Sequence, residues 1–226
     1  MFDEKKARRV IRFIECLKHT KGEFHGKPFK MLPWQEKIIR DVFGTVRDED
    51  PSMRQYNQVY IEIGKKNGKS ELGAALALNM LINDDEWKAE VYSCASDRQQ
   101  AAIVFDVAVD MVRQNPTLSK LIKIIPSTKR MVYQPTGSIY QVLSSEVATK
   151  HGLNVSACIF DELHTQPTRA LYDVMTKATE KGTFFGKGNV SFSYQVQKQR
   201  QSRIKKPYKK KSPSIRQALL RRFSSY

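Results

Sequence analysis

The chain has 226 residues, 40% apolar and 27% charged, with a formal net charge of +16, enough for one sizeable domain with a real core and short for two. No apolar run is long enough to span a bilayer, and the charged start MFDEKKARRV, with no apolar segment behind it, excludes a secretory signal. Three widely spaced cysteines (Cys16, Cys94, Cys158) form no CxxC pair, which argues against a disulfide framework or a zinc site and fits a reducing compartment.

Residues 3–19 read as a helix, with Val10, Ile11, Phe13, Ile14 and Leu17 recurring at helical spacing among charges. A Gly/His/Lys/Pro loop follows, and Met31-Leu32-Pro33-Trp34-Gln35 leads into a second amphipathic helix through Phe43. Residues 44–55 are polar, with Asp50-Pro51 as a turn signal. Tyr56–Ile63 reads as a strand carrying Val59, Ile61 and Ile63 on one face; Glu71–Ile82 then reads as an Ala/Leu-rich helix. Ala89–Ala95 is a second strand, and Asp97 an N-cap for a long helix ending near Asn115-Pro116. Arg130–Gln134 and Ser138–Leu143 are short strands turned at Pro135-Thr136-Gly137. Val155–Phe160 reads as a buried parallel strand, and a last helix starts near Pro167 and runs to about Thr179. Cys94 and Cys158 fall in strand-like apolar runs, where core packing accounts for them. Strands alternating with helices predict an α/β fold with a mainly parallel central sheet flanked by helices.

Between the first strand and its helix lies Gly64-Lys65-Lys66-Asn67-Gly68-Lys69-Ser70. A phosphate-binding loop needs inward-turned backbone N–H groups, a lysine that reaches the β/γ oxygens and a hydroxyl for Mg²⁺. Gly68, Lys69 and Ser70 supply these in order, and the new helix points its positive end at the phosphates. The strict pattern would place its first glycine at position 63, which is Ile63; Gly64 lies one residue late. The bland alternative is a basic turn in a lysine-rich chain.

Such a loop calls for an apolar strand ending in acids. Val155–Phe160 followed by Asp161-Glu162 provides it, 92 residues after Lys69. Asp161 would hold Mg²⁺ with Ser70, and Glu162 would orient and activate the attacking water. Alone, Asp161-Glu162 could equally be a helix cap. The strand at Ala89–Ala95, between the two motifs, agrees with the P-loop NTPase branch that has an additional strand and a catalytic glutamate. His164 is either a γ-phosphate sensor or a surface histidine; the other histidines show no metal-ligand spacing.

Beyond Thr179 the composition changes. Residues 181–226 hold thirteen Lys and Arg and no Asp or Glu, so residues 1–180 hold 26 basic against 23 acidic residues, a net of only +3. No strand is legible in this segment. Three readings stand: a frameshifted or interrupted gene, a basic arm that binds nucleic acid with Lys205–Lys211 on phosphates and Tyr194, Tyr208 and Phe223 available for stacking, or a short docking helix at Ile215–Phe223. The domain is expected to span residues 1–180, with residues 1–55 as its helical N-terminal part and 181–226 as a tail outside the sheet, so that trimming to residue 180 leaves the fold intact.

Taken together, these segments resemble the N-terminal ATPase domain of phage large terminases. Leu32-Pro33-Trp34-Gln35 with Phe43-Gly44 resembles the family's adenine-recognition segment, in which the glutamine contacts the base. Lys65-Lys66-Asn67-Gly68-Lys69-Ser70 resembles its deviant Walker A loop, Tyr92–Ala101 the segment after the next strand, and Phe160-Asp161-Glu162-Leu163-His164 its Walker B acids with a trailing histidine. The resemblance implies an ATP-hydrolysing motor that packages double-stranded DNA, with ATP and Mg²⁺ as cofactors. It implies Gln35, Gly64, Lys66, Asn67, Gly68, Lys69 and Ser70 as nucleotide contacts, Ser70 and Asp161 on the metal, and Glu162, Lys69 and Lys65 as the catalytic groups. Implied partners are double-stranded DNA, the portal protein, a small terminase subunit and further copies in a ring, in the host bacterial cytoplasm and not at a membrane. Two departures stand out. Lys65 replaces a frequent arginine and lacks its planar fork. The family's apolar strand, Thr/Gly coupling motif and nuclease acids are not recognised after Thr179, so the chain reads as truncated before a nuclease. The alternatives are a helicase-like DNA-dependent ATPase, or an inactive nucleotide-binding fragment with a basic nucleic-acid-binding tail.

Overall fold

The computed structural model describes residues 1–64, 67–96, 98–144, 153–166, 168–180 and 190–196. The N-terminal helix α1 (Glu4–Glu15) is capped by Asp3, whose carboxylate accepts from the N–H of Lys5 and Lys6 at 2.9 and 3.1 Å. It ends at Glu15 rather than near residue 19, because the chain turns into a hairpin closed by Phe29 N–H to Leu17 O (2.8 Å) and His19 N–H to Lys27 O (2.9 Å). Helix α2 (Pro33–Gly44) opens on Pro33, whose missing N–H is no loss in a first turn, and packs on α1.

Among the described residues, seven strands form one sheet: β1 (Gln58–Ile63), β2 (Glu90–Ala95), β3 (Ile122–Ile125), β4 (Arg130–Tyr133), β5 (Ser138–Ser144), β6 (Val155–Phe160) and β7 (Val190–Val196), in the spatial order β1-β7-β6-β2-β5-β4-β3. The first five in that order run parallel, and β5, β4 and β3 form an antiparallel meander at the far edge. Helices α3 (Lys69–Ile82) and α4 (Arg98–Arg113) cover one face, and α6 (Ala170–Glu180) the other. Every residue of α3 from Leu72 to Leu81 is buried, and its Ala-Ala-Leu-Ala run lets the sheet, α1 and α4 approach it from several sides. The two strand faces divide the core. Val91, Ala157 and Ile159 join the large cluster under α3 and α4, while Tyr92, Cys94, Cys158 and Phe160 join Leu171 and Met175 of α6. Both cysteines are core residues, and burial, with Cys158 alongside, pushes the Cys94 thiol well up.

The elements expected up to residue 180 are present within a few residues of their expected limits, and two short ones are added. Asn115 does not simply end a helix; its side chain accepts from the N–H of Thr117 and Leu118 and starts α5 (Pro116–Leu121), which feeds β3. The expected cap Asp97 lies outside the described residues.

The larger correction is β7. The expectation that nothing beyond Thr179 enters the sheet fails at Val190–Val196, which lies between β1 and β6 and pairs with both. Phe192 is fully buried and stacks on Phe43 of α2 with ring centroids 6.1 Å apart. The additional strand separating the phosphate-loop strand from the acid strand is therefore β7, not the strand at Ala89–Ala95. The rest of the expected tail, 197–226, lies outside the described residues, as do 181–189.

Candidate active site

In a parallel α/β sheet, loops leaving the carboxyl ends of neighbouring strands converge at one edge. Here that edge receives the loop after β1 and the turn after β6. Gly64 ends the strand segment, and Asn67 Nδ2 donates to Gly64 O at 3.0 Å, closing the loop on itself. Gly68 then takes the left-handed conformation (φ 73°, ψ 21°) as the N-cap of α3. A Cβ there would meet Gln35 Nε2 at 3.6 Å, an ordinary contact, so the position favours glycine through its backbone rather than through crowding. Gly68→Ala is expected to cost about 1–2 kcal/mol of stability from that backbone alone, read as a lower urea midpoint with an unchanged slope.

Lys69 and Ser70 occupy the first turn of α3, whose N–H groups have no intrahelical acceptor. The Lys69 ammonium reaches across to the acid strand, 2.7 Å from Asp161 Oδ1 and in direct contact with Glu162 Oε1. Burial lowers the lysine's affinity for its proton, but the two carboxylates outweigh burial and its pKa is raised. Asp161 is buried; its N–H donates to Cys94 O at 3.0 Å, locking the end of β6 to β2. Its Oδ1 is enclosed and is the oxygen that faces the Lys69 ammonium. Glu162 sits at φ 50°, ψ 54°, a left-handed conformation rare for a residue with a side chain. Such backbone strain collects at functional sites. The turn is fixed by Thr165, whose hydroxyl donates to Glu162 O at 2.8 Å and meets Ser96 Oγ, just after β2, at 3.2 Å.

The structure thus brings together Gly64, Asn67, Gly68, Lys69, Asp161 and Glu162, with Ser70 beside them on α3. Gln35 lies under the loop. It is 3% exposed, and its Oε1 accepts from Leu32 N–H at 2.8 Å, leaving Nε2 against Gly68. Lys65, Lys66 and the His164 side chain lie outside the described residues.

Sequence reasoning missed Glu71. This carboxylate, two residues after Lys69, accepts from the Thr20 N–H (2.8 Å) and hydroxyl (3.3 Å) and meets His19 Nδ1 at 2.6 Å. No local signal marks partners 51 and 52 residues apart.

A mononucleotide triphosphate with Mg²⁺ fits these donors. The loop and helix start offer N–H groups and an ammonium, Ser70 a hydroxyl, and Asp161 an enclosed carboxylate oxygen. Among the described residues there is no group of three or more His, Cys, Asp or Glu that could hold a metal by protein ligands alone.

Comparison with known proteins gives a consistent picture. Residues 33–202 match the family model of the terminase large subunit ATPase domain. The large terminase subunit of Enterobacteria phage HK97 is 35% identical over 160 residues, covering 70% of this chain and 30% of that protein. The large subunit of Lactococcus phage p2 is 27% identical over 166 residues, with the same coverage. The chain therefore spans about a third of the length of these curated relatives. Among solved structures, the HK97 large terminase superposes with a TM-score of 0.69 at 30% identity, over 86% of this chain and 38% of that one. An ATPase-domain variant of the large terminase of Thermus phage P74-26 shares the fold, with a TM-score of 0.55 at 16% identity over 74% of this chain and 65% of that one.

Proposed function

The chain belongs to the terminase large-subunit ATPase family, and we propose that it hydrolyses ATP at the Lys69–Asp161–Glu162 cluster to drive double-stranded DNA into a capsid. The observation that carries this reading is the convergence of Lys69 on both acids, from elements two strand spacings apart. When bound, ATP with Mg²⁺ supplies the phosphoanhydride to be cleaved. Lys69 would bring its charge to the β- and γ-phosphate oxygens, and Ser70 and Asp161 would hold the cation. Glu162, aimed by its left-handed backbone and by Thr165, orients the attacking water and accepts its proton. Gly64, Asn67 and Gly68 would shape the loop around the phosphates, and the sequence assigns Lys65 and Lys66 to phosphate charge there. Gln35 takes the base side, with Nε2 as the group able to donate.

In this proposal the domain extends through at least Val196, because β7 joins the two halves of the site. Its partners are double-stranded DNA, the portal protein, the small terminase subunit and further copies of the chain in a ring, at the procapsid portal in the host bacterial cytoplasm. No helix among the described residues is long and apolar enough to cross a membrane.

Lys69→Ala tests the site. It removes a cation that faces both Asp161 and Glu162, and ATP affinity is expected to fall at least about tenfold, or roughly 1.4 kcal/mol, in titration calorimetry with Mg²⁺ present. Unchanged affinity would remove the phosphate-loop assignment.

A further inference from the structure

The motor reading leaves one feature of the N-terminal region unused. Residues 1–180 carry a net charge of +3, and residues 18–30 alone carry four lysines against Glu23, also +3. The hairpin is thus a locally basic stretch of a domain that is nearly neutral as a whole. The hairpin is well defined. Lys18 pairs with Pro28 in an antiparallel bridge, Gly26 N–H donates to His19 O at 2.9 Å, and Gly22 and Gly26 turn the tip at φ 67° and 77°. Lys18, Lys21, Lys27 and Lys30 are all exposed. Phe24 stands at the tip, 53% exposed, with the Lys27 ammonium 5.3 Å from its ring centroid.

The inner side of the hairpin is anchored. His19 stacks on Phe29 at 4.6 Å, its carbonyl accepts from Gln114 Nε2 at 3.4 Å, and its ring and Thr20 together hold the Glu71 carboxylate. Glu71 lies in the first turn of α3, next to Lys69 and Ser70. Three side chains therefore separate an exposed cationic tip from the helix that starts at the phosphate loop.

We propose that the Leu17–Phe29 hairpin with Lys30 is a contact surface for the phosphodiester backbone of duplex DNA, coupled to the phosphate loop through Glu71. This rests on the reading of the chain as a DNA motor and names where the substrate touches it. Duplex DNA carries a charge about every 1.7 Å along its axis, dense enough to engage several lysines of one short hairpin at once. An acidic protein surface offers no such continuous row. The exposed ring of Phe24 packs on the sugar edge while its flanking lysines take the phosphates. A shift of the hairpin on DNA is passed to α3 through His19, Thr20 and Glu71.

The test uses the 226-residue chain and its Lys18→Ala/Lys21→Ala/Lys27→Ala variant, both carrying the same basic C-terminal segment, and measures the affinity for a short blunt DNA duplex across a salt series. The slope of log affinity against log salt should become shallower by about 2–3, at roughly 0.9 per phosphate contact, with DNA-free ATP turnover unchanged. An unchanged slope overturns the proposal. So does an unchanged slope accompanied by weaker binding of poly-glutamate, which would give the hairpin to an acidic protein instead. Glu71→Gln should keep the wild-type slope and lose DNA stimulation of turnover; stimulation at the wild-type level removes the coupling. If the wild-type chain binds no duplex, the DNA-motor reading itself fails, which is a different result from a hairpin variant that binds as well as wild type.

Discussion

A chain ended at Glu180 is expected to lose cooperative folding altogether. The cut removes β7, and β7 is not an edge. It fills the slot between β1 and β6, pairing from Gln58↔Ser191 to Ile63↔Val196 on one side and from Ala157↔Val190 to Phe160↔Ser193 on the other. Without it the phosphate-loop strand and the acid strand stand two spacings apart, about 10 Å, with unpaired ladders facing each other. Phe192 leaves with the strand, and truncating a buried phenylalanine alone costs about 3–5 kcal/mol. Against a typical total stability of about 5–15 kcal/mol, the lost ladders and the lost core together exceed what the domain can spare. Thermal unfolding followed by circular dichroism reads the result. A chain ended at residue 180 that melts with the same midpoint and cooperativity as the 226-residue chain would mean that β7 does not hold the sheet together.

Glu162→Gln is expected to lower ATP turnover by about 10²–10⁴-fold with ATP affinity little changed. Glutamine keeps the size and the backbone but cannot take a proton from water. The contact with Lys69 loses its charge, yet Asp161 at 2.7 Å still faces the ammonium, so the phosphate loop keeps one anionic neighbour. Loss of turnover with binding intact separates a catalytic base from a helix cap, the other reading of Asp161-Glu162. A cap would change the melting midpoint and leave the rate alone.

Much of this was readable in the sequence, and the exceptions have physical causes. The helices and β1, β2 and β6 announce themselves by period, because each buries one face or is buried whole. β7 does not. Val190-Ser191-Phe192-Ser193-Tyr194-Gln195-Val196 alternates apolar with polar, the pattern of a strand wet on one side, whereas buried parallel strands usually read as unbroken apolar runs. Yet both Phe192 and Ser193 are buried. Set in a segment with no acidic residue, that alternation was overshadowed by charge. α5 and β3 were missed for their shortness. In the candidate site, the meeting of Lys69 with Asp161 and Glu162 was foreseeable because the proposed phosphate chemistry calls for those types in that order after a strand. The strained backbone of Glu162, the inward turn of Gln35 onto Gly68 and the Glu71–His19–Thr20 link were not. Each depends on which segments meet in space, and no spacing within one segment encodes it.

The most direct test of the central claim is steady-state phosphate release from ATP by the purified 226-residue chain with Mg²⁺, measured beside Glu162→Gln prepared identically. Turnover by the wild-type chain that vanishes in the variant and on chelation of Mg²⁺ is the predicted result. Release at the same rate from both proteins, or binding of ATP by the wild-type chain with no release at all, would contradict the assignment of Lys69, Asp161 and Glu162 as a working ATPase site in this chain.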